Sequence, residues 1–178
     1  MDKKKITLGS GKLYVTEFVG NNVPEKAVIE TESNLIGYIS GGATLEYKPT
    51  YYEAKDDLGQ IVKTIITEEE ATLKSGVLTF NGNTLAKLCA TARVTEDEEK
   101  GIRTVLIGGV GNQDGKSYVI HFLHEDKTDG DVRVTIVGKN QSGFSLAFAK
   151  DKETVIDAEF KAQPQDADGT LIRFEEDL

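Results

Sequence analysis

Apolar and polar residues alternate in short runs along this chain, and clusters of Gly with Asp or Asn separate the runs. Alternation of period two sends successive side chains to opposite faces of an extended strand, so a chain written this way folds into sheets with one buried face. Residues 12–18 place Leu13 and Val15 on one face and Tyr14, Thr16 and Phe18 on the other. Residues 44–52 place Leu45, Tyr47 and Tyr51 together. Further strands are expected over 60–80, 103–107, 117–124, 131–137, 144–148, 154–162 and 170–174. Gly108-Gly109, Asn112–Gly115, Asp129-Gly130, Gly138–Asn140 and Asp168-Gly169 break them. The expected fold is mainly β: a β-sandwich or partly closed barrel with one short flanking α-helix and a long projecting hairpin.

That helix is expected after Gly82, capped by Asn83 or Thr84, with Leu85, Leu88, Cys89 and Ala92 on one stripe. Cys89 on such a stripe reads as a small buried hydrophobe. Residues 24–39 fit neither period well; Pro24 followed by Glu25 favours a helix start there. Residues 51–65 hold Asp56-Asp57-Leu58-Gly59 between two strand-like flanks, a hairpin too long for a free domain. A lone hairpin is marginally stable, so this one needs a partner surface.

The 178 residues suit a single domain over 1–178, with 1–10 as an N-terminal arm and 50–66 as the projecting hairpin. A core needs no disulfide at this length, and the single cysteine permits none within the chain. No apolar run approaches the roughly 20 residues of a membrane helix, and the charged N-terminus lacks the apolar stretch of a secretory signal. A net charge of −9 argues against gripping nucleic acid by phosphate neutralisation.

Near-matches to chemical motifs fail on context. Asp166, Asp168, Gly169 and Glu175 sit at the spacing of an EF-hand loop, but Pro164 takes the first ligand position and strands flank the loop where helices are required. Residues 153–177 therefore read as strand, turn and strand, a closing hairpin. Gly109–Gly115 is glycine-rich but leads into a strand, so it reads as a connecting loop rather than a phosphate cradle. His121 and His124, three apart on a strand, point to opposite faces and share no metal. No catalytic set, metal set or cofactor motif emerges, and the chain does not read as an enzyme. Glu68-Glu69-Glu70 interrupts a β-rich stretch; two of the three must share a face.

Taken together, residues 34–49, 71–80, 118–126, 132–138, 159–162 and 168–172 resemble the major tail tube proteins of long-tailed bacteriophages and prophages of Gram-positive bacteria. The resemblance covers roughly residues 10–175. It implies a structural subunit that self-assembles into stacked hexameric rings, a conduit for double-stranded DNA in transit. It also implies a place in the virion tail after assembly in the host cytoplasm, with tape-measure and tail terminator proteins as partners. The acidic balance suits a bore that repels phosphates, with Glu46, Glu53, Glu68, Glu69 and Glu70 as its candidate lining. Tyr51, Tyr52, Asp56, Asp57 and Leu58, with the 1–10 arm, are the candidates for docking between subunits. The competing readings are another tail component (terminator, baseplate or type VI-like tube) and a small β-sandwich module binding a ligand or calcium.

Overall fold

The computed structural model describes residues 9–178; the expected arm lies outside them except for Gly9 and Ser10. In chain order the elements are β1 (Lys12–Glu17), α1 (Lys26–Ile29), β2 (Leu35–Lys55), β3 (Ile61–Val77), α2 (Gly82–Leu88), β4 (Ala92–Asp97), β5 (Ile102–Ile107), a 3-10 turn (Val110–Asn112), β6 (Tyr118–His124), β7 (Val132–Asn140), β8 (Ile156–Gln163) and β9 (Arg173–Glu176). The fold is mainly β, as the alternation requires. No helix among the described residues is long and apolar enough to cross a membrane.

Six strands close on themselves in the order β6-β1-β2-β3-β8-β7, and β7 pairs back onto β6. Every pairing is antiparallel. The result is a small barrel whose inward residues fill it with side chains. They are Leu13 and Val15, Ile36, Leu73 and Val77, Ile120, Ile136, and Ile156, Ala158 and Phe160, joined by Leu88 of α2. Two glycines make the closure and the exit from it. Gly138 pairs with Tyr118 on one side and Ala162 on the other, and any side chain there would overlap the Lys161 carbonyl. Gly41 and Gly42, both at positive φ, form the irregularity between Ser40 and Ala43 at which β2 leaves the barrel.

The outward face of β1, β6 and β7 is also apolar. Tyr14, Val119, Leu123 and Val137 lie beneath Ile29 of α1, with Phe18, Val23 and Leu35 beside them. A charged cluster borders this second core. Glu30 Oε1 accepts from Arg133 Nε at 2.7 Å and His121 Nε2 at 3.0 Å. Arg133 also meets Asp131 at 2.9 Å and Asp177 at 3.2 Å, so it ties α1 and the C-terminal segment to β7. An ionised Glu30 can only accept, so His121 carries its proton on Nε2 and its Nδ1 accepts from the Thr135 hydroxyl at 2.8 Å. Burial pushes the imidazole below its ordinary value despite Glu30. Burial raises Glu30 too, but the Arg133 and His121 hydrogen bonds outweigh it and hold the carboxyl low.

Several sequence expectations are corrected. The helix cap is Asn81, whose side chain accepts from Asn83 N and Thr84 N in a reciprocal capping box with Thr84; neither Asn83 nor Thr84 caps the helix. The helix ends at Leu88, and Ala92 belongs to β4, a strand the sequence reading omitted because 92–97 is mostly polar. α1 is a single turn after Glu25, and the rest of 24–39 feeds β2. Residues 144–148 form no strand: Phe144 and Leu146 pack against the barrel core, but no neighbouring strand offers them a ladder. β8 and β9 do not pair with each other. Both pair with β7, β8 along Val137–Asn140 and β9 along Val132–Thr135. The closing segment is therefore one column of the sheet interrupted by an excursion over 164–172, not a hairpin, and β9 starts at Arg173 because Asp166 holds Thr170 in the loop.

Two measurements check this account. Phe160→Ala removes a ring that is 1% exposed and should cost about 3–5 kcal/mol in chemical denaturation. His121 has a depressed native value, so the unfolded chain takes its proton first as pH falls through about 6.5. Stability is complete above that pH and declines below it; Glu30 adds a second loss below its own ordinary range near 4.5. The melting temperature should hold from pH 8 to 7 and fall towards pH 5, and His121→Gln should flatten that fall.

Candidate functional site: a ribbon beyond the barrel

β2 has β1 as a second neighbour only from Leu35 to Tyr38, and β3 has β8 only from Thr72 to Val77. The β2–β3 ladder nevertheless continues to Lys55↔Ile61. Among the described residues the two strands pair only with each other from Tyr47↔Ala71 outward, a ribbon projecting about 25–30 Å at the usual rise per residue. Its tip is locally determined. Asp56 Oδ1 accepts from Leu58 N at 3.2 Å and Gln60 N at 2.8 Å, and Gly59 takes the positive φ that the turn needs.

Register assigns the faces. Tyr51↔Ile66 and Glu53↔Thr64 share one with Tyr47 and Pro49↔Glu69; Tyr52↔Ile65 shares the other with Glu46, Lys48↔Glu70 and Thr50↔Glu68. The extra residue Thr67, at the irregularity opposite Thr50 and Tyr51, brings Glu69 and Ile66 onto one face although they are three apart. Tyr51 and Tyr52 are 56% and 59% exposed, Ile65 and Ile66 47% and 48%. Each face thus carries an uncovered Tyr–Ile pair, and Leu58 stands exposed at the tip beside Asp56 and Asp57.

The acidic candidates divide between the faces: Glu46, Glu68 and Glu70 on one, Glu53 and Glu69 on the other. Lysines interleave with them. Glu46 meets Lys48 at 2.7 Å, Glu53 meets Lys55 at 3.6 Å and Glu70 meets Lys161 at 3.3 Å, while Tyr47 donates its hydroxyl to Glu69 at 2.5 Å. These pairs are exposed and contribute little to stability. They matter because they leave each face mixed in charge. Sequence reading found Tyr51, Tyr52 and the tip but missed Ile65 and Ile66; the signal lay in the unbroken Ile65-Ile66 pair, which a strand cannot bury on one side.

The remaining candidates are structural. β4 and β5 form a separate two-stranded sheet against α2, close enough that a side chain at Gly82 would meet Arg103 and Val105. Gly109–Gly115 connects β5 to β6. A hollow of about 380 Å³ beside α2 is lined by Glu32, Asn81, Asn83 and Lys87, but the Lys87 amine is spent on the Val15 carbonyl at 2.8 Å. Cys89 packs on the core, and burial raises its thiol's pKa. Among the described residues no three His, Cys, Asp or Glu side chains gather as a metal set. In the closing loop Asp166 Oδ1 accepts from Asp168 N and Thr170 N; the bond with Thr170 leads the interactions that hold its carboxyl low. Asp168 lines a hollow with Tyr47 and Glu69, at the root of the ribbon.

No protein-family model matches the chain, and no curated protein matches it.

A ribbon without a third strand opens locally at little cost. In hydrogen exchange on the isolated subunit, amides of 47–58 and 60–70 should exchange far faster than those of β6 and β7.

Proposed function

We propose that this chain is a structural subunit that assembles with copies of itself into stacked, hexameric rings, the tail tube of a long-tailed bacteriophage. The observation that carries this reading is the ribbon: two strands beyond a closed barrel, with Tyr51–Ile66 on one face and Tyr52–Ile65 on the other, both pairs left exposed by the described residues. Such surface is costly to leave in water and is the kind of patch that a neighbouring subunit covers. The resemblance noted in the sequence supports the same conclusion, and the acidic balance of −9 per subunit supports a wall that repels DNA in transit. Glu46, Glu68 and Glu70 share one face, where Lys48 and Lys161 offset part of their charge, so the repulsion is assigned to the net charge of the subunit rather than to this face alone. The function is geometric rather than catalytic. Tape-measure and terminator proteins are the expected partners, and the virion tail the expected place.

Electron microscopy and light scattering of the purified protein test this. Rings or tubes are expected at high protein concentration. Replacing Tyr51 and Tyr52 by Ser and Ile65 and Ile66 by Thr should abolish assembly. The same variant should keep the subunit's melting temperature within a few degrees, because all four side chains are exposed. A subunit that stays monomeric at high concentration, even with tape-measure and tail-initiation proteins added, sinks the reading.

A further inference from the structure

His121 is buried, but not inside the barrel. On β6 it shares the outward side with Val119 and Leu123, and its cross-strand neighbours are Tyr14 of β1 and Thr135 of β7. Those neighbours flank the ring within the sheet. Glu30, at the end of α1, stands over it with Oε1 3.0 Å from Nε2. The burial of His121 therefore depends on α1 staying in place. α1 is lightly held: it is a single turn of four residues, too short to persist alone. Glu25 gives it no side-chain cap, and Ile29 is its one buried side chain. Beside Ile29, its tie to the barrel is the Glu30 carboxylate, shared between Arg133 and His121.

We propose that α1 is a strap that proton uptake by His121 releases, baring the apolar patch of Tyr14, Val119, Leu123 and Val137 beneath it. The groups around the ring set the direction. Burial acts most strongly and opposes the proton, Glu30 favours it, Arg133 of β7 opposes it and Glu175 of β9 favours it. Tyr14, its ring centroid 6.2 Å away, stays neutral because burial raises its phenol. Asp131 and Asp177 are engaged with Arg133. A proton on the ring also turns Nδ1 from acceptor to donor, so the Thr135 hydroxyl that donates to it at 2.8 Å must rotate. Burial prevails, and with α1 closed the imidazole lies below its ordinary value. Lifting α1 returns water to the ring and restores that value. Closure is complete above about pH 6.5 and weakens as pH falls below it. The device belongs to the single subunit and stands whether or not rings form.

Hydrogen exchange on the full-length chain tests this. The amides of Val28, Ile29 and Glu30 close the turn onto Glu25 and Lys26. After correction for intrinsic exchange, their opening should rise by up to about thirtyfold from pH 7.5 to 5.0, the ratio set by an open-state imidazole at its ordinary value. Release of the strap differs from whole-chain unfolding in rate and in response to urea. α1 should open at least about tenfold more often than β6 and β7 at each pH, and low urea should leave its opening unchanged while raising theirs. His121→Gln, which takes no proton, should remove the pH dependence. Where that chain fails to fold, the wild-type His121 ring signal in NMR decides, and its midpoint should coincide with the loss of α1 protection. An α1 opening that is flat with pH, that merges with β6 and β7, or that keeps its pH dependence in His121→Gln overturns the strap. A ring that titrates while α1 stays shut overturns it as well.

Discussion

The structure depends on the pairing of β6 with β7 while β6 also pairs with β1. That one ladder turns a sheet into a ring, and closure removes the open edges a flat sheet would leave. Inside it, Phe160, Leu13, Ile120 and Ile136 are almost wholly removed from water. The unpaired backbone of the fold is displaced to the ribbon and to the separate β4–β5 sheet. A rigid barrel with an unfinished ribbon is a different object from a marginal hairpin: the root at Thr72–Val77 is held by β8, so the free part keeps its direction.

Outside the barrel, the Arg133 cluster does for the chain ends what the ladder does for the strands. Three carboxylates, from α1, from the start of β7 and from the C-terminal segment, converge on one guanidinium that is nearly buried. Such a hub stabilises little relative to an apolar alternative, but removing one member strands the others. It fixes α1 over the second apolar cluster and holds the C-terminal segment beside β7.

Much of this was legible in the sequence. The period-two runs at 12–18, 117–124 and 131–137 became β1, β6 and β7, and the long hairpin with its Asp56–Gly59 tip appears where the flanks placed it. What failed had a common cause: long-range pairing leaves no local mark. Residues 144–148 alternate as well as any strand yet find no partner, whereas the mostly polar 92–97 finds one in β5. The 170–174 alternation could not reveal that β9 answers to β7 rather than to β8. At the candidate site the tyrosines and acids could be read from residue type. Their division between two faces could not, because it follows from cross-strand register and from the one extra residue at Thr67.

The pairing of β1 with β6 has a consequence in time. Lys12 faces Leu123, a separation of 123 − 12 = 111 residues. The barrel cannot close until most of the chain has been made, and pairings this distant form slowly. The β2–β3 ribbon is a local hairpin, complete once residue 77 is available. During synthesis the ribbon is therefore complete before the barrel that holds it. For such a chain, how fast the β1–β6 seam closes sets how long the exposed Tyr51, Tyr52, Ile65 and Ile66 stand on an unfinished body.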